Sequence, residues 1–88
     1  MFVLFYNYVD NVLERRGPHR PAHLDLVNEF HAAGTLTMAG ALTDPVDSAL
    51  IVFRDRESAE AFVARDPYVA NGLVPAHRIR EWALVVGG

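Results

Sequence analysis

Apolar residues occupy both alternating faces of the stretch Phe2 to Val9: Phe2, Leu4, Tyr6 and Tyr8 fall on one face, Val3, Phe5 and Val9 on the other. A strand apolar on both sides is covered on both sides. Asp10 to Arg20 mixes charge with Gly17 and Pro18 and reads as a loop, with room for one helical turn around Asn11 to Arg15. From Pro21 to Ala33 the period changes. Leu26, Val27, Phe30 and Ala33 recur at helical spacing, and Gly34 follows as a stop. Extending that stripe backwards by a turn lands on His23, which the spacing places on the inward face, while His31 lies at the stripe's edge and His19 precedes the helix.

Thr35 to Leu42 alternates Leu36, Met38, Gly40 and Leu42 against Thr35, Thr37, Ala39 and Ala41, which predicts a strand with one bulky and one small face. Thr43 to Asp47 is a turn-rich link to a further strand, Ser48 to Arg54. Asp55 can cap a second helix over Glu57 to Arg65, with Ala59, Phe62 and Val63 inward. One more step along that stripe is Asp66. Because a residue before proline is pushed out of helical geometry, the helix breaks there, and Asp66 can cap a new turn that starts at Pro67 and stops at Gly72. After Pro75, His77 to Val86 is the last predicted strand, with Trp82 and Leu84 on one face and Ile79, Ala83 and Val85 distributed over the other positions.

Strand, helix, strand, strand, helix, strand is the split βαβ order of ferredoxin-like folds. The predicted architecture is α+β, a single domain over residues 1–88: a four-stranded antiparallel sheet with two helices on one face. The other sheet face then needs a cover. A second copy of the same sheet is the simplest one, giving a homodimer of the dimeric α+β barrel type.

Composition supports that need, since 51% of the 88 residues are hydrophobic and the mean hydropathy is +0.10. A net charge of −3 without a basic run argues against nucleic acid as a partner. All eight cationic residues are arginine, so a lysine Schiff base is excluded. The absence of cysteine excludes disulfides, thiolate nucleophiles and cysteine-bound zinc, and is compatible with the expected cytoplasmic location. Met1 to Tyr6 is apolar but lacks a basic leader region and a cleavage site, and no apolar run reaches membrane-spanning length.

Chemistry concentrates on His23 and Asp66. If the two helices bring these residues together, Asp66 accepts from one imidazole nitrogen, fixes the tautomer, and leaves the other nitrogen to donate or accept a proton in a pocket. A histidine on an apolar face is also an ordinary core residue, and Asp-Pro an ordinary helix start, so spacing alone leaves both readings open. Arg20, three residues before His23, is the best cation for an anionic substrate; Tyr6, Tyr8 and Tyr68 have rings able to line a pocket. Ser48 stands as a substrate-binding candidate rather than a nucleophile, because nothing around it activates it. His19 and His23 are four apart but Pro21 intervenes and no third ligand is evident, so neither a metal nor another cofactor is expected.

Arg20-Pro21-Ala22-His23-Leu24, then Ala39-Gly40, then Asp66-Pro67-Tyr68-Val69-Ala70-Asn71-Gly72-Leu73 resemble the YciI-like (YCII-related) family in order and spacing, across nearly the whole chain. The resemblance implies a dimeric ferredoxin-like fold with a histidine and an aspartate at the active site, roles that fall on His23 and Asp66; it supplies no reaction. Ala41 stands where relatives often have proline, and the Thr43 to Asp47 loop is shorter than in many of them. The resulting expectation is a small cofactor-independent enzyme in which His23 is the general acid/base on a small organic substrate and Asp66 orients it. The alternative is a non-catalytic dimeric metabolite-binding or regulatory module. Monooxygenase-like chemistry on an activated aromatic ring rests on shared architecture alone.

Overall fold

Strand β1 (Phe2–Asn7) occupies an inner position of a four-stranded antiparallel sheet ordered β2-β3-β1-β4, where β2 is Leu36–Leu42, β3 is Ser48–Phe53 and β4 is Ala76–Glu81. The computed structural model describes residues 1–88. Between the strands run α1 (Val12–Arg15), a 3-10 turn over Gly17–His19, α2 (Arg20–Ala32), α3 (Arg56–Arg65) and the single turn α4 (Pro67–Ala70). This is the ferredoxin-like α+β arrangement that the element order predicts.

Register explains which residues make the core. Leu4 pairs with Ile51 and Ile79, and Tyr6 with Ala49 and His77, so Leu4, Tyr6, Ala49, Ile51 and Phe53 share the face that carries the helices. Against them α2 and α3 lay Leu26, Phe30, Ala59 and Phe62, all buried. Phe30, Phe53 and Phe62 meet at 5.4–6.1 Å between ring centroids, Phe30 edge-on to both of the others, within the range that aromatic pairs favour. On the opposite face lie Val3 and Val52, which are buried, and Phe5 and Leu50, which are half-buried. A groove of about 320 Å³ opens there, lined by Val3, Phe5, Leu50, Arg80, Glu81 and Trp82, and Arg78 lies 4.6 Å above the Phe5 ring.

Four sequence expectations change. In β2 the register slips between Leu36 and Met38: Leu36 pairs with Phe53 but Met38 with Val52. That irregularity turns Leu36 into the core and Met38, 58% exposed, onto the open face, so the single bulky face read from alternation does not exist. β4 stops at Glu81, not Val86. Its only neighbour is β1, whose first residue Phe2 pairs with Glu81, and the ladder ends with the Trp82 N–H on the Met1 carbonyl. Finally β1 ends at Asn7, and α2 begins at Arg20, one residue earlier than the periodicity suggests.

Candidate functional site

β1 and β3 are antiparallel, so the start of the helix after β1 and the end of the helix after β3 come to the same end of the sheet. His23 lies in the first turn of α2, and Asp66 terminates α3 and caps α4. Pro67 holds Asp66 in an extended conformation, φ −73° and ψ 120°, which aims its carboxylate back over the new turn. There Oδ1 accepts the Tyr68 N–H at 3.0 Å and lies 2.8 Å from His23 Nδ1. Oδ2 accepts the Tyr6 hydroxyl at 2.7 Å. Asp66 is 1% exposed and His23 8%.

A carboxylate this deeply buried needs donors to replace water, and here it has three. Since an ionised carboxylate only accepts, the proton on the His23 side of the bond sits on Nδ1, and Nε2 carries the lone pair in the neutral ring. Tyr68 holds the imidazole from a second direction. Its ring stacks on His23 with centroids 3.8 Å apart and planes 3° from parallel, while Phe62 meets the imidazole edge-on.

Beside His23 is a pocket of about 100 Å³, bounded by Tyr8, Leu24 and Val27 and floored by Ala39, Gly40, Ala49 and Ile51. On β2 it is Ala39, paired with Ile51 on the helix-bearing face, whose small side chain leaves the space, while Gly40, paired with Leu50, meets the pocket only through its backbone. Burial, strengthened by the adjacent Asp66, pushes the Tyr6 phenol well above its ordinary range. Tyr8 is pushed up to about 12, first by burial and then by Tyr68 and Asp66, against an opposing pull from Arg16 and Arg20.

Of the residues singled out from the sequence, His23, Asp66, Tyr6 and Tyr68 are brought together. Arg20 opens α2 one turn before His23, exposed and without an ion pair. Ser48 is not brought in: its hydroxyl donates to Asp47 at 2.8 Å, and its register with Asn7 and Leu42 puts it on the open face, opposite to Ala49. His31 is engaged by the Leu36 carbonyl at 2.9 Å. Leu24, Val27 and Ala49 enter as pocket walls that sequence reasoning missed, although Leu24 and Val27 follow Arg20 at i+4 and i+7, a stripe legible in advance. No group of three or more histidine, cysteine, aspartate or glutamate side chains is gathered for a metal, and no helix is long and apolar enough to cross a membrane.

Fold and site together define a small ferredoxin-like α+β protein with a buried histidine–aspartate pair beside a largely apolar pocket. Residues 1–83 match the YCII-related domain, and the chain belongs to that family. It is 33% identical over 84 aligned positions to Protein YciI of Escherichia coli and of Shigella flexneri, an alignment covering 83% of this chain and 86% of each relative. In structure it is similar to 5-chloro-2-hydroxyhydroquinone dehydrochlorinase from Burkholderia phenoliruptrix, solved in complex with 2,5-dihydroxybenzoquinone. The TM-score is 0.73 with 21% identity over 94% of both chains, a likeness of fold.

Proposed function

We propose that the protein is a cofactor-independent enzyme in which His23 transfers a proton to and from a small organic substrate and Asp66 orients the imidazole. The observation that carries this reading is the 2.8 Å contact between Nδ1 and Oδ1, which, with Asp66 as a carboxylate, favours the proton on Nδ1 and leaves Nε2 for the pocket that His23 lines. In the forward step Nε2 takes a proton from an acidic C–H or O–H, and the electron pair left behind isomerises the substrate, opens a ring or expels a leaving group. The imidazolium so formed sits against the Asp66 carboxylate and returns its proton to product or solvent. The dehydrochlorinase of like fold supports a substrate in the class of oxygenated rings.

The test is turnover of a panel of small acids, lactones and halogenated or hydroxylated phenols by wild type, His23→Ala and Asp66→Asn. Both changes are expected to lower turnover by about 10²–10⁴-fold, the usual contribution of a positioned acid/base. Binding of a compound that is never turned over, unaffected by either change, supports the binding-module reading instead.

The same proposal includes a homodimer through the open sheet face. Met38, Leu42 and Trp82 are each about half exposed on or beside that face, and Val85 and Val86 stand almost wholly in solvent, so a second sheet is the cover that fits the apolar strip.

A further inference from the structure

At the pocket end of the sheet one hydroxyl and two cations have no use in the pair. Tyr8 follows β1 directly, held by its N–H on the Asp47 carbonyl at 2.9 Å. Its ring lies edge-on to Tyr6 and Tyr68, 6.2 Å from each, and borders the same pocket as His23. The side-chain hydrogen bonds around it, from Tyr6 and from His23 to Asp66, leave the Tyr8 hydroxyl uncommitted. Behind it the Tyr68 hydroxyl is buried with no hydrogen-bond partner, the kind of group that calls for an acceptor.

Arg16 and Arg20 lie near enough to Tyr8 to act on its ionisation. Neither has a carboxylate of its own, since the ion pairs of the chain are His23 with Asp66 and Arg65 with Glu29. Arg20 also continues the pocket-lining stripe of α2, one turn before Leu24 and two before Val27. The Asp66 charge is already met by three donors, so it does not neutralise these arginines.

We propose that Tyr8, Arg16 and Arg20 form an anion subsite at the pocket, binding a phenolate, enolate or carboxylate oxygen of the substrate and presenting the neighbouring proton-bearing atom to His23 Nε2. The apolar walls take the carbon body, which favours an organic anion over inorganic phosphate. The Tyr8 phenol is protonated at neutral pH even at its ordinary value, and burial pushes it further up, so it donates. The proposal rests on the acid/base reading of His23 for its orientation, but not for its affinity.

Calorimetric titration of three ionised probes (2,5-dihydroxybenzoquinone, 4-nitrophenolate and benzoate) against their neutral methyl ethers or ester tests it. At least one anion is expected to bind wild type more tightly than its neutral counterpart, and less tightly as salt is added. Tyr8→Phe and the double change Arg16→Gln with Arg20→Gln are each expected to weaken that anion by about tenfold or more, as loss of a charge-assisted bond does, while the neutral form is unaffected. His23→Ala keeps the anion bound. If no anion is preferred, or if both variants hold it as tightly as wild type, the subsite is refuted whatever His23 does. Turnover that survives His23→Ala overturns the acid/base reading whatever the anion affinity.

Discussion

Asp66 joins three pieces of chain with one side chain: it caps α4, anchors the imidazole of α2 and receives the Tyr6 hydroxyl from β1. His23 and Asp66 were legible as inward-facing from helical spacing, because each continues an apolar stripe. The Tyr6 bond was not, since alternation in a strand reports which face a residue occupies and nothing of what its hydroxyl meets sixty residues away. The tyrosines give this cluster a pH signature. Tyr6 and Tyr8 ionise less readily in the folded chain than at the ordinary value of 10.0, so above that pH the folded state holds more protons than the unfolded one. The resulting stability is fully present below pH 10 and is lost as pH rises through the folded-state values, about 12 for Tyr8 and higher for Tyr6. Tyrosinate absorbance during alkaline titration should therefore show these two rings ionising late, together with loss of helical circular dichroism. Tyr6→Phe should remove the later ring from that titration and, by orphaning Oδ2, cost about 1–3 kcal/mol in urea unfolding.

Among the elements, α3 has the clearest local code. Asp55 precedes it in extended geometry and accepts the Ser58 N–H at 2.7 Å, as the sequence reading anticipated. Asp55→Ala should destabilise by about 0.5–2 kcal/mol, read as a lower urea midpoint at unchanged slope, with turnover preserved because the cap lies at the far end of α3 from Asp66. The elements that differ most from expectation, β2 and β4, do so for reasons outside their own residues. The β2 irregularity depends on which β3 residue each position meets. The end of β4 depends on where β1 begins. Hydrophobic alternation carries burial, not pairing, and runs on through Trp82 and Leu84 after the partner strand has finished.

For the whole molecule the open face of the sheet decides the expected assembly. Its apolar residues come from three strands and the segment after β4, and the helices lie on the other side. Sedimentation at micromolar concentration should give twice the 9.8 kDa chain mass, and Leu50→Arg, placing a charge at the centre of the face, should return it to one. A wild-type monomer would rule out the homodimer. The ferredoxin-like order was readable because its signals are local and repeated, two helical periods and their caps. The pocket was less so, since its walls come from α2, β2 and β3 at once, and no local pattern reports which small side chains will leave room between them.

The Tyr68 amide and the His23 ring bond to the same oxygen of Asp66. That arrangement makes one backbone proton a gauge of the imidazole. If the proposed reaction places a proton on Nε2, the charged ring should draw harder on Oδ1 and the Tyr68 N–H bond to that oxygen should slacken, an expected upfield move of its amide resonance. A single cross-peak of a nitrogen-labelled sample should then report what happens at the imidazole, and a Tyr68 amide that stays put when a ligand reaches the pocket would count against that coupling.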